Sequence, residues 1–120
     1  MTSVRRYRQI VEQFESIARV HVGARMPMAD LCRMAGVNQR TLLRAFHAIR
    51  GTTPSCYLHA LRLDEVRQAL LSADGAQTVT QVAMRFGFRE LGRFAGRYKA
   101  AFGERPSDTL RGIPVRRHPD

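Results

Sequence analysis

The sequence predicts an all-α protein of about seven helices, arranged as two helix-turn-helix subdomains joined by a long central helix. Three observations lead there. Residues 53–73, TPSCYLHALRLDEVRQALLSA, read as one uninterrupted helix. The segments before and after it resemble each other. Each of those segments reads as helix, glycine-containing turn, helix, which is the helix-turn-helix pattern.

The central helix has its start written into it. Pro54 falls at the first helical position, where its missing N–H is no loss, and Thr53 precedes it as a cap. Tyr57, Leu58, Leu61, Leu63, Val66, Leu70 and Leu71 then recur at roughly the spacing of one apolar face. The flanking repeat is close. Leu31, Gly36-Val37, Leu42, Phe46, Gly51 and Pro54 precede or open the helix, and Val82, Gly87-Phe88, Phe94, Tyr98, Gly103 and Pro106 follow it. The two copies are offset by about 51 residues, with one extra residue between Gly87 and Phe94, as expected of one supersecondary unit used twice. The expected organisation is a first subdomain over 4–52, a linker helix over 53–73, a second subdomain over 74–112 and a disordered tail over 113–120.

Taken in order, Val4, Tyr7, Ile10, Val11, Phe14, Ile17 and Ala18 form the apolar stripe of a first helix, with Glu12 and Glu15 on its polar side. Gly23 is the expected left-handed cap. A helix over about 29–35 turns Leu31, Met34 and Ala35 inward, and Gly36 supplies the turn. Asn38 caps the helix 39–49, which buries Leu42, Ala45 and Phe46 and leaves Gln39, Arg40, Leu43, Arg44 and His47 outside. After a loop at 72–76, Thr78 and Gln81 match a capping box. Helix 79–85 turns Val79, Val82 and Ala83 inward, helix 90–102 buries Phe94, Tyr98 and Phe102, and a short last helix opens at Pro106.

Composition narrows the function. Of 120 residues 20 are Lys or Arg and 10 are Asp or Glu, a net charge of +10, and Lys99 is the only lysine. Such an excess points to a polyanionic partner, and arginine suits bidentate contacts to phosphate and guanine. No apolar run has the length of a membrane span and no signal-peptide core opens the chain, so a cytoplasmic setting is expected. The two cysteines, Cys32 and Cys56, are expected to be reduced and buried. The four histidines make no metal-site spacing with them. No catalytic Ser-His-Asp pattern or phosphate-cradling glycine loop is present, so neither an enzyme nor a cofactor is expected.

Two runs carry a resemblance. Gly36-Val37-Asn38, Arg40-Thr41-Leu42, Arg44, Phe46, Gly51, Pro54, Tyr57-Leu58 and Arg62-Leu63 resemble the first half of the AraC/XylS-type DNA-binding domain. Val82-Ala83, Phe86-Gly87-Phe88, Phe94, Tyr98-Lys99, Phe102-Gly103, Pro106-Ser107 and Arg111 resemble its second half. The resemblance covers about residues 9–111. It implies a seven-helix, sequence-specific regulator that binds double-stranded promoter DNA, with RNA polymerase as a further partner and the isolated domain monomeric. Two recognition helices would enter successive major-groove segments. A rigid spacer of about 30 Å agrees with the ~34 Å repeat separating such segments on one side of the duplex.

By the same resemblance, bases would be read by Arg40, Leu43 and Arg44 with Gln39 beside them. The second recognition helix departs from the family pattern, which commonly has a short polar residue near 92 and arginine near 96. Here Leu91, Gly92, Ala95 and Gly96 occupy the reading face, and Arg89, Arg93, Arg97 and Lys99 flank it, an arrangement better suited to phosphates. Two helical glycines cost about 1 kcal/mol each relative to alanine; they offer no side chain to a base, though they permit close backbone approach. Most members of the family carry a sensing and dimerising domain ahead of this one, and a fragment of such a longer regulator is favoured over a stand-alone monomer. A basic RNA-binding or architectural module would explain the charge but not the repeated anchors. A membrane-surface protein fits poorly, because the first helix needs its apolar stripe for a core.

Overall fold

The structure, a computed structural model, describes residues 4–24, 26–73 and 77–112. Among the described residues there are seven α-helices and no strand: α1 Val4–His21, α2 Met28–Ala35, α3 Gln39–Arg50, α4 Pro54–Leu71, α5 Val79–Arg85, α6 Leu91–Phe102 and α7 Pro106–Leu110. The tail expected at 113–120, and residues 74–76 of the expected loop, lie outside them. The chain divides into two compact units, Met1–Leu61 and Arg62–Asp120.

The first unit is built by α1, α2, α3 and the start of α4 around Val11, Phe14, Ala18, Leu31, Cys32, Leu42, Ala45, Phe46 and Leu58. Phe14 meets Phe46 edge-on at 5.6 Å between ring centroids, a preferred aromatic geometry. Asn38 caps α3 by accepting from the Thr41 N–H at 2.8 Å. Gly51 ends α3 with φ +69°, a left-handed conformation that a side chain would strain. Thr53 accepts from the Cys56 N–H at 3.1 Å, so α4 starts as the Thr-Pro pair dictates.

The second unit holds the rest of α4 with α5, α6 and α7 around Leu63, Val66, Leu70, Val82, Ala83, Phe86, Phe88, Phe94 and Tyr98. Thr78 and Gln81 form the expected capping box, the Gln81 N–H donating to Oγ1 at 3.1 Å and the Thr78 N–H to Oε1 at 2.9 Å. Gly103 repeats at α6 the role of Gly51 at α3, with φ +77°. The Tyr98 hydroxyl donates to Thr109 at 2.8 Å and Thr109 to the Glu104 carboxylate, tying α7 to α6. Burial pushes the Tyr98 phenol above its ordinary range.

The repeat extends further upstream than the helix-turn-helix segments. Val11, Phe14 and Ala18 of α1 and Leu63, Val66 and Leu70 of α4 share the same spacing and are apolar residues buried by each helix in its own unit. Leu31 matches Val82, Cys32 matches Ala83, Leu42 matches Phe94, and Phe46 matches Tyr98, all buried. The central helix is thus also the first helix of the second unit. Its apolar residues do not form one face. At about 100° per residue, Tyr57, Leu58 and Leu61 fall on one side of the helix, and Leu63, Val66 and Leu70 on another.

Five expectations are corrected. Glu15 is buried on the core side of α1, because Arg50 grips it through two hydrogen bonds, Nε to Oε2 at 2.9 Å and Nη2 to Oε1 at 2.8 Å. Gly23 has no positive φ; a 3-10 turn over Val22–Ala24 follows α1 instead. Met34 is exposed, since the buried face of α2 is centred between Leu31 and Cys32, more than a quarter-turn away. Val4 is exposed, a turn ahead of the partly buried Tyr7. Cys32 is buried as expected, but Cys56, in the first turn of α4, is exposed.

Candidate nucleic-acid interface

In the first unit, one face of α3 is committed to the core by Leu42, Ala45 and Phe46. Helical spacing then sends Gln39, Arg40, Leu43, Arg44 and His47 outward, and all five are exposed. Arg40 and Arg44 lie one turn apart, and neither is engaged by an acceptor among the described residues. Half of the Leu43 side chain faces solvent, an apolar group between two cations. A guanidinium free of internal partners keeps its fork of donors for an outside acceptor, such as guanine O6 and N7 or a phosphate.

These residues also border a concavity. Gln39, Arg40 and Leu43 line a cleft of about 320 Å³ together with Met28, Leu42 and the Thr53-Pro54-Ser55 start of α4. Arg44, exposed on the same helix, is not among its lining residues. Sequence reasoning named Gln39, Arg40, Leu43 and Arg44 but missed the contribution of α4. The turn through Gly51 returns the chain to α3, which no local pattern announces.

In the second unit, α6 buries Phe94 and Tyr98 and turns Gly92, Arg93, Gly96, Arg97 and Lys99 to solvent. Leu91 is only partly exposed and packs against the core. Arg89 is exposed in the segment just before α6, whose first residue is preceded by Glu90 without a side-chain cap. A Cβ at Gly92 or at Gly96 would meet no atom within 4 Å, so packing does not require glycine at either position. The exposed face of α6 is therefore a smooth strip of backbone with basic side chains beside it.

No helix among the described residues is long and apolar enough to cross a membrane.

Comparison with known proteins agrees with this geometry. A family described as a helix-turn-helix domain matches residues 31–112. The chain is 42% identical over 97 residues to a probable thc operon regulatory protein of Rhodococcus erythropolis, a match covering 80% of this chain and 29% of that protein. It is 40% identical over 82 residues to a XylDLEGF operon transcriptional activator of Pseudomonas putida, covering 68% of this chain and 26% of that protein. The chain thus spans less than a third of the length of these curated relatives. The crystal structure of a probable AraC family transcriptional regulator from Rhodopseudomonas palustris superimposes with a TM-score of 0.78 at 31% identity, over 86% of this chain and 95% of that one. Two helix-turn-helix units, the matched residues and the superposed fold lead to one conclusion: the chain belongs to the helix-turn-helix domain family of AraC-type transcriptional regulators.

Proposed function

We propose that this chain reads promoter DNA chiefly through α3, with Arg40 and Arg44 bonding base edges, Leu43 supplying an apolar contact and Gln39 a polar one. The observation that carries this reading is the exposed α3 face, where two arginines one turn apart have no acceptor among the described residues. On α6, Arg89, Arg93, Arg97 and Lys99 hold phosphates, while Leu91, Gly92 and Gly96 contribute at most apolar and backbone approach. The protein acts in the cytoplasm as the DNA-binding part of a longer, ligand-responsive activator that also contacts RNA polymerase. Its curated relatives, described as operon regulators and activators and more than twice its length, support that part of the reading. The isolated domain is a monomer.

Binding-site enrichment from random duplexes tests the proposal, followed by titration of the selected site at several salt concentrations. A single enriched motif is expected, with affinity falling ~10³–10⁵-fold between low and moderate salt if 6–10 phosphates are neutralised. A flat salt profile, or RNA competing better than the selected duplex, would overturn it.

A further inference from the structure

The equivalence of α1 and α4 exposes one residue that the fold does not explain. Ile10, just ahead of Val11 in α1, packs against the first core. The matching position ahead of Leu63 in α4 is Arg62, partly buried. On α4 it sits one turn after Leu58 and one turn before Val66, both buried, so a cation interrupts an otherwise apolar row. Asp64 and Glu65 lie within a turn of it, yet neither forms an ion pair with it, and Arg62 has no hydrogen-bond acceptor among the described residues. Desolvation holds its guanidinium below the ordinary arginine range. The other half-buried arginine of α4, Arg67, differs: it matches Glu15 and stacks on Phe102, 5.3 Å from the ring centroid, where the first unit has the Glu15–Arg50 pair, although its Nε is buried without a hydrogen-bond partner among the described residues.

Arg62 also has a direction along α4. Ser55 lines the cleft beside Gln39, Arg40 and Leu43, and Arg62 follows it by seven residues, two turns further on the same side of the helix. At ~1.5 Å per residue that is roughly 10 Å from the cleft rim.

We propose that Arg62 is a phosphate-binding residue, placed by α4 to clamp one backbone phosphate of the duplex whose bases α3 reads. The proposal rests on the DNA-binding reading above. A partly desolvated guanidinium without an internal acceptor gains more from an incoming phosphate than a fully hydrated one, because less water remains to be displaced.

The test compares wild type, R62M and R62K on a fluorescent duplex carrying the selected site and on a random-sequence duplex, with thermal unfolding of each variant. Methionine keeps the packing of the stem and removes the charge. R62M is expected to bind both duplexes about equally more weakly, on the order of tenfold, and to reduce the slope of log affinity against log salt by about one. R62K should keep the slope, and neither variant should melt lower than wild type. Wild-type binding with an unchanged R62M slope overturns the inference alone. So does a loss of affinity shared by R62K and matched by lower melting, which would assign Arg62 a structural role. Absence of duplex binding by the wild-type chain overturns the DNA-binding reading and this inference with it.

Discussion

In the first unit the outward face of α3 carries Gln39, Arg40, Leu43 and Arg44, and Asn38 caps the helix. In the second unit the equivalent helix α6 carries two exposed glycines, lacks a side-chain cap and keeps its cations to the side. Yet the two units bury matching positions almost one for one, from Val11 and Leu63 at the start to Phe46 and Tyr98 at the end. The difference teaches that core and surface are written separately. Burial fixes the residues every three and four positions, which leaves the intervening face free to carry either reading side chains or none.

The comparison can be pressed first where the units agree. Phe46 is fully buried and touches both Phe14 and Tyr57. Phe46→Ala is expected to cost ~3–5 kcal/mol in chemical denaturation, the usual range for a buried ring replaced by a cavity. A loss below about 1 kcal/mol would mean that the repeated aromatic is not what closes the core.

Where the units differ, the exposed face of α3 has the next largest expected effect. Arg44→Ala is expected to cost ~1–3 kcal/mol on the selected site and to relax preference at one or two base pairs, whereas Arg93→Ala or Lys99→Ala should weaken all duplexes alike. Scanning each base pair of the site with wild-type protein measures the same asymmetry. Equal sensitivity in the half read by α6 would break the contrast and assign Leu91 or the glycine backbone a recognition role.

The glycines give a smaller and opposite effect. Since a Cβ has open space at both positions, Gly92→Ala and Gly96→Ala should each stabilise the protein by about 1 kcal/mol, seen as a higher melting temperature. If either also weakens duplex binding while raising stability, the strip is kept bare for close approach to DNA. Unchanged binding would leave the glycines without a role in the interface.

The smallest expected effect is acid sensitivity confined to α7 and its neighbours. Asp108 is held down to about 2, first by the hydrogen bond from the Arg105 side chain at 3.1 Å, with the Arg105 N–H and Arg111 adding to it. Its folded value lies below its ordinary one of 3.8, so its contribution is complete above about pH 4 and fades as the pH falls towards 2. NMR titration should find the Asp108 carboxyl midpoint in that lower range, and a midpoint near the ordinary value would mean that Arg105 and Arg111 do not hold the carboxylate in solution.

Much of this molecule is legible in its sequence. Asn38, the Thr53-Pro54 pair and the Thr78–Gln81 box start their helices by local hydrogen bonding, which a few consecutive residues specify completely. The exposed α3 face followed from the same periodicity that buried Leu42 and Phe46. What the periodicity left out was partnership. Glu15 reads as a polar-face residue until Arg50, thirty-five positions later, supplies a bidentate partner that makes its burial affordable. The apolar residues of α4 read as one stripe, although its two halves serve two cores. Leu91 reads as part of the recognition face, yet it leans on the second core. By itself the sequence determined the helices, most of their caps, the repeat and the family, because these depend on interactions within a turn or two of the chain. Tertiary structure alone decided which charges are paired, which face meets which core, and that α4 joins the α3 cleft, because those outcomes depend on contacts between residues that no short-range pattern couples.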